Sequence, residues 1–295
     1  MSTILGCGIA TLDIVNRVDG YPPEDDEVRA LDQQITPGGN ASNTLSVLAA
    51  LGHRCTLAAT LSDEPDGARI RARLEARGID CNACLTLPVG KVPTSYITLN
   101  RRNGSRTIVH HRDLPEYPAD AFSALPLARY DWLHFEGRHV DALATMLTHA
   151  ARTAPHAVRS LEIEKPRSGI ERLQPLANVL LYSRGWAHHC GHQRPETFLA
   201  AATPQPGQRL FLAWGAEGAW LREADGQLHH QPALPLAEVA DTLGAGDVFN
   251  AGVIDALARG LDGRQALQHG VTLAGQRCGM DGLDRFLAAL SPNTR

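Results

Sequence analysis

No apolar run in this 295-residue chain is long enough to cross a bilayer, and no hydrophobic targeting segment opens it. Membrane insertion and secretion are therefore not expected, and a cytoplasmic setting is. An excess of charge of one sign is also missing. The formal net charge is −4, which leaves no broad basic surface to hold nucleic acid or an acidic membrane. The six cysteines are scattered, and Cys81-x-x-Cys84 has no second pair, so reduced thiols are expected rather than a disulfide framework or a zinc site. His188-His189-Cys190-x-His192 has a metal-like composition, one that His-rich surface turns share. Three phosphate-binding signatures are absent too. No Gly-x-x-x-x-Gly-Lys-Ser/Thr occurs, Gly6-x-Gly8 lacks the third glycine of a dinucleotide fingerprint, and no His-Arg-Asp loop is present.

What is there begins with two glycine-rich segments. Asp241-Thr-Leu-Gly-Ala-Gly-Asp247 follows a β-type approach, Leu236 to Val239, and leads into an apolar stretch from Val248 to Ala258. Gly244, Ala245 and Gly246 are small enough for a turn to aim its backbone N–H groups at an anion. Unpaired amides and the positive end of the helix dipole act together at such a place. Asp247 then falls on the first helical turn. A carboxylate there repels a bound anion, so binding alone gains nothing from it. A reaction that takes a proton from an attacking hydroxyl does. The plain alternative is an Asp favoured at a helix start behind a glycine turn.

Pro37-Gly-Gly-Asn-Ala-Ser-Asn43 likewise sets two glycines before a helix, expected over 44–51 and stopped by Gly52. Asn40 and Asn43 are three apart and face one side near the helix start. Carboxamides donate and accept, which suits the hydroxyls of a sugar. A glycine turn with an Asn cap accounts for one of them more easily than both. Asp13, after the strand pattern Ile4 to Ile9, adds an acceptor to the same pocket or is a loop acid.

At these two motifs the chain resembles the PfkB, or ribokinase-like, family of carbohydrate kinases, and the resemblance covers nearly its whole length. Within the family it is most similar to the ketohexokinase branch. That similarity rests on 38–43, Gly104-Ser-Arg-Thr-Ile108, His134-Phe-Glu-Gly-Arg138, Glu162-Ile-Glu-Lys-Pro-Arg167 and 241–247 with Phe249-Asn250. The resemblance implies ATP-dependent transfer of a phosphoryl group to the 1-hydroxyl of a ketohexose such as fructose. Asp13, Gly39, Asn40 and Asn43 would hold the sugar, Asp247 would act as base, and the amides of 244–246 would meet the γ-phosphoryl oxygens. Arg106 would bind ATP phosphates through its planar guanidinium, unless it is a surface hairpin arginine.

The same resemblance assigns Gly215 and Gly218 to the nucleotide wall and Cys278 to the adenine pocket, where a turn and a packing role are the alternatives. Many family members carry an Asn-x-x-Glu motif linked to Mg2+. Here Ser183-Arg-Gly-Trp186 stands in its place, so Glu164 is the substitute candidate, acting through metal-bound water. Asp241 would take a monovalent cation such as K+, or else brace the turn. Rival substrates are ribose, a nucleoside, or a sugar acid or sulfonate. A rival of another class is a sugar-binding regulator without catalysis. An acidic substrate calls for a cation near Asn40, and the sequence places none obviously there.

Strand and helix patterns alternate through most of the chain. Strands are expected over 55–61, 132–136, 157–163, 179–182, 209–214 and 220–223, with helices over 67–77, 139–152 and 265–277. That alternation implies an α/β fold with a mainly parallel sheet between helices, and 43% hydrophobic content suffices for one such core. Segments 14–36 and 92–112 break it, with strand patterns at Val28–Leu31, Ser95–Asn100 and Arg106–His111 and a hairpin signal at Asn103-Gly104. They are expected to form a small antiparallel β lid beside a kinase domain made of 1–13, 37–91 and 113–295. Exposed edges in so small a sheet invite pairing. The resemblance adds a homodimer clasped through the lids, with Asp25 reaching the partner's sugar site.

Overall fold

Val179, Leu180, Leu181 and Tyr182 are all buried, yet they serve two different cores. Val179 and Leu181 pack with Leu45, Phe211 and Val248, while Leu180 and Tyr182 pack with Phe135, Leu147 and Leu199. Only a strand covered on both faces divides a continuous apolar run in this way. A computed structural model describes residues 1–290, so positions 291–295 of the expected kinase domain lie outside the described residues. Its strands are β1 (Thr3–Cys7), β2 (Thr11–Val18), β3 (Asp32–Gly38), β4 (Arg54–Ala58), β5 (Thr60–Ser62), β6 (Ile79–Asp80), β7 (Leu85–Leu87) and β8 (Thr94–Asn100). There follow β9 (Arg106–His111), β10 (Trp132–Glu136), β11 (Val158–Ile163), β12 (Val179–Ser183), β13 (Arg209–Ala213), β14 (Ala219–Arg222) and β15 (Leu228–Gln231). The helices are α1 (Asn40–Ala50), α2 (Pro65–Ala76), α3 (Ala119–Ser123), α4 (Val140–Thr153), α5 (Arg184–His189), α6 (Pro195–Ala201), α7 (Ala245–Ala258), α8 (Gly263–Cys278) and α9 (Leu283–Leu290).

The main sheet has nine strands in the order β15-β14-β13-β12-β11-β10-β1-β4-β6. From β13 across to β6 every pairing is parallel, and β14 and β15 close one side antiparallel. Helices cover both faces, as the alternation implied. The helix α4 buries Leu143, Met146, Leu147 and Ala150, a stripe at helical spacing, and His139 caps it by accepting the Ala142 N–H at 3.2 Å. On the other face α7 and α8 come very close. A Cβ on Gly252 would stand 2.7 Å from Gly270 Cα, so glycine at this crossing sets where α7 lies.

The small second sheet runs β3-β2-β8-β9. Its outer pairings are antiparallel, and the central pairing of β2 with β8 is parallel. Several local expectations need correction. Val28–Leu31 is not a strand: Val28 and Leu31 are exposed, and the segment pairing with β2 starts at Asp32. Leu236–Val239 is not a strand either. The backbone beyond it turns to the end of α8, where Ala240 and Asp241 donate their N–H groups to Cys278 O at 2.9 and 3.3 Å. The run 55–61 divides after Ala58, because β5 leaves the main sheet to pair with β7. Helix α1 begins at Asn40 rather than Thr44. His188 and His192 pack edge-on against Trp214 and Phe198, and Cys81 and Cys84 are free thiols.

Candidate active site

Parallel strands of an open sheet leave a crevice beyond their carboxyl ends, and a cavity of about 730 Å³ lies there. It is bounded by the second sheet, by the start of α1 and by the turn entering α7. Both glycine motifs meet in it. Gly244 has φ 76°, a left-handed conformation that favours glycine, and caps α7. A Cβ on Gly246 would meet no protein atom within 4 Å. The small residue there keeps open space in front of the helix N-terminus rather than fitting a crowded core.

Asp247 sits on the first turn of α7 and is only 7% exposed. Its Oδ2 accepts the Asn43 Nδ2 donor at 2.8 Å, and Thr44 Oγ1 donates to its backbone carbonyl at 3.3 Å, so α1 and α7 are joined at the site. Burial drives the Asp247 pKa well above the usual carboxylate range. The Asn43 bond opposes this, and the charges of Glu164, Glu136 and Asp13 add to it. The result is a carboxylate of raised basicity with no cation paired to it among the described residues.

Asp13 lies on β2 and is also buried. Its Oδ1 accepts from Thr11 Oγ1 at 2.7 Å, and its pKa is raised, chiefly by burial. Gly38 faces it across β3: a Cβ there would fall 1.9 Å from Asp13 Oδ2. Gly39 has φ 97°, and its Cβ would meet Ile9 O at 2.3 Å. The two glycines are thus the condition for bringing Asp13 and α1 together. Asn40 opens α1 and donates through Nδ2 to Glu162 Oε1 at 3.2 Å and Glu164 Oε2 at 3.1 Å.

Glu162 is the residue the motif reading passed over. It is the penultimate residue of β11, is 5% exposed, and accepts at Oε1 from Asn250 Nδ2 at 2.9 Å, while its Oε2 is buried without a partner among the described residues. Burial first, then the charge of Asp247, raises its pKa strongly. The signal available in the sequence was an acid set between Leu161 and Ile163 at the end of an expected strand. Glu164, at the exposed rim, pairs with Lys165 at 3.6 Å. Mg2+ is usually held by one or two carboxylates together with substrate phosphates, and the free oxygen of Glu162 beside Glu164 fits that demand.

The monovalent ion implied at Asp241 does not fit. Asp241 Oδ2 is taken by Arg277 Nη2 at 2.6 Å, and Oδ1 accepts the Leu243 N–H at 2.8 Å. A guanidinium already holds the position. Arg106, on β9, lines the cavity and donates from Nη1 to Thr242 Oγ1 at 3.0 Å, so the second sheet touches the turn that carries the helix N-terminus. Gly215, Gly218 and Cys278 lie outside the cavity lining. The Gly218 backbone has φ 95°, and a Cβ there would stand 2.1 Å from Gln231 O, so glycine is required by the β14–β15 ladder. Burial raises the Cys278 thiol pKa. Asp25 is exposed with φ 62° on the loop between β2 and β3.

The sequence placed no cation obviously near Asn40, but Lys165 reaches it through Glu164, which accepts from Asn40 at 3.1 Å and pairs with Lys165 at 3.6 Å. Arg138, Lys165 and Arg167 line the same cavity. Two of the three are already engaged by acids: Arg138 by Glu116 at 2.8 Å and Glu136 at 3.1 Å, and Lys165 by Glu164. Arg167 Nε donates to the Gly137 carbonyl at 3.2 Å.

The chain belongs to the pfkB family of carbohydrate kinases, whose model matches residues 1–287. It is 39% identical to ketohexokinase of Mus musculus over 290 residues, covering 95% of this chain and 97% of that one. It is 23% identical to an ATP-dependent ribose-1-phosphate kinase of Halopiger xanaduensis, covering 96% and 94%. Among solved structures, a putative ribokinase from Agrobacterium tumefaciens superimposes with a TM-score of 0.87 at 24% identity, over 98% and 97% of the two chains. A ribokinase from Cryptococcus neoformans in complex with ADP gives 0.79 at 19%, over 98% and 99%. The fold is therefore ribokinase-like, and the protein is a sugar kinase.

Proposed function

We propose that this kinase transfers the γ-phosphoryl group of ATP to the primary 1-hydroxyl of a ketohexose such as fructose. The observation that carries the reading is Asp247, a buried carboxylate without a cation, held by Asn43 at the mouth of the α7 N-terminus. Asp13, Asn40 and Asn43 hold the hydroxyls of a neutral polyol, and Asp247 takes the proton of the attacking one. The 244–246 turn presents the Gly244 and Gly246 amides to the charge that develops on the transferring group, the Ala245 N–H being donated to Thr242 O at 3.3 Å, and Arg106 adds positive charge from the second sheet. Glu162 and Glu164 would hold Mg2+, which neutralises phosphate charge when bound. The family resemblance assigns Gly215, Gly218 and Cys278 to the adenosine end, although they lie outside the cavity lining. A regulator without catalysis has no use for a buried base whose charge costs stability, so Asp247 speaks against that reading.

Substrate choice is tested by ranking kcat/KM for fructose, ribose, adenosine and fructose 6-phosphate, with the phosphorylated position read by 31P NMR. Each buried partner left unpaired by a wrong sugar costs about 1–3 kcal/mol, so fructose should lead. A nucleoside in first place would overturn the ketohexose assignment and leave the kinase standing. Arg167 and Lys165 in the cavity lining favour one second reading, a sugar acid or phosphosugar. A phosphosugar in first place would establish it.

A further inference from the structure

Arg277 is among the largest fully buried side chains of the protein, at 1% exposure. It stands one residue from the end of α8, and its two terminal nitrogens reach four oxygens. Nη1 donates to Met280 O at 2.8 Å and Asp241 O at 3.3 Å, and Nη2 donates to Asp241 Oδ2 at 2.6 Å and Leu243 O at 2.8 Å. Nε is buried without a partner among the described residues. All four oxygens belong to two short segments: 241–243, which leads into the Gly244 turn, and the turn after α8. Gly282 joins the same group by donating its N–H to Asp241 Oδ2 at 3.4 Å.

One carboxylate and three carbonyls around a single positive charge form the kind of oxygen cage that a hard cation takes. Packing α8 against α7 does not call for such a cage; apolar side chains do that along the rest of the helix pair. The carbonyls of 241 and 243 point at the guanidinium, so the peptide unit that carries the Gly244 N–H is fixed together with the one that leads into the turn. We propose that Arg277 is the resident cation of the anion-binding turn, fixing its approach and making the protein independent of monovalent cations. Arg277 is a positioning residue: it acts on phosphate through the turn. The kinetic half of the inference rests on the kinase reading above; the structural half does not.

The test compares the full chain in KCl and in tetramethylammonium chloride at equal ionic strength. For the wild type, the melting temperature should agree between the two salts, and sugar-kinase kcat/KM should agree within about twofold. A K+ site of millimolar affinity, saturated at about 100 mM, would raise the melting temperature by a few degrees. A rise of that kind, or activation by K+ of fivefold or more, overturns the proposal. Arg277→Ala opens the cage, and it should melt lower in tetramethylammonium than in KCl, with ADP affinity lost and partly restored by K+ or by guanidinium ion. Unchanged melting in all three salts would make Arg277 a strut only and would also overturn the proposal. Arg277→Lys keeps the charge and should stay indifferent to K+; K+ dependence in it would count against the inference. If Arg277→Ala does not fold, the wild type and Arg277→Lys decide. If no sugar is phosphorylated, the kinase reading falls while the melting data still report on the cage.

Discussion

Asparagine at position 247 removes the charge while keeping the volume and an acceptor for Asn43 Nδ2, and two opposite effects should result. In the wild type, burial and the neighbouring acids raise the Asp247 pKa. A carboxyl whose folded pKa lies above its unfolded value costs no stability below about pH 3.9. The cost grows as pH rises from there and is complete above the folded pKa. Asp247→Asn should therefore melt higher than wild type at pH 8 and show no such gain near pH 4. A single stabilising substitution commonly gives about 0.5–2 kcal/mol, and 1 kcal/mol moves the midpoint of a large domain by about 2–4 °C. Removing that charge also relieves Glu162, whose pKa Asp247 helps to raise.

Activity should move the other way. Loss of a general base costs about 10²- to 10⁴-fold in kcat, or roughly 2.7–5.4 kcal/mol in the barrier. A coupled assay of ADP release at saturating sugar measures it, and scanning calorimetry at both pH values measures the stability. The wild-type pH profile of kcat/KM supplies the third reading. Its acid limb should fall above the ordinary carboxylate range, because the base works only when deprotonated. Turnover within tenfold of wild type, or a lower midpoint at pH 8, would refute the role given to Asp247.

Arg106→Ala should raise the KM for ATP and lower kcat while leaving sugar affinity without nucleotide unchanged, since its side chain donates to Thr242 on the anion-binding turn. Asp255→Ala should lower stability by about 3–5 kcal/mol, as breaking a buried ion network does, because His53, His269 and Arg259 all donate to Asp255, at 2.8, 2.9 and 2.6 Å. Its effect should persist from neutral pH to well below pH 4, since the depressed Asp255 pKa keeps the charge present there. Dimerisation through the second sheet is expected because Tyr96, Ile108 and Val109 are exposed on it; light scattering that gives a fully active monomer at micromolar concentration would sink both the clasp and a shared role for Asp25.

The residues easiest to read from the sequence were those whose chemistry contradicts their local setting. Asp247 follows a glycine turn where anions bind, and Asn40 and Asn43 share the face of a helix start. Glu162 was harder because its burial follows from the place of β11 inside the sheet, a tertiary fact. Its neighbour Glu164 matched the metal expectation and drew the assignment. Arg277 reads as the basic end of an ordinary helix, and nothing in 265–277 says that this one position faces the loop at 241–243. The cations that share the cavity with Asn40 escaped for a related reason: Arg138 and Arg167 lie about 100 residues or more along the chain, and the parallel register of β10 and β11 brings the strands that precede them side by side. In the second sheet, Asn103-Gly104 marked the β8–β9 turn, but apolar Val28 and Leu31 suggested a strand where the pairing residues are the polar run from Asp32. Register with β2, which binary patterning did not reveal, decided it.

Buried acids in this protein fall into two groups, and the difference separates fold from function. Asp255 is buried, which by itself raises its pKa, yet hydrogen bonds from His269, His53 and Arg259 hold it well below the ordinary value. Asp241 has Arg277, and Glu136 has Arg138 together with the N–H groups of Ile9 and Ala41 at 3.0 and 3.3 Å. Each of these carboxylates joins segments distant in sequence and is matched by the charge it meets. Asp247, Glu162 and Asp13 are buried too, but their partners are neutral amides and a hydroxyl, and their pKa values are raised. A fold that needed them only as struts would be more stable with asparagine or glutamine in their places. Retaining three unmatched carboxyl groups on one cavity is consistent with selection for what they do when a hydroxyl, a phosphate and a metal ion enter it. Of these only a metal ion would bring the positive charge they lack; a hydroxyl would bring the proton that Asp247 is proposed to take.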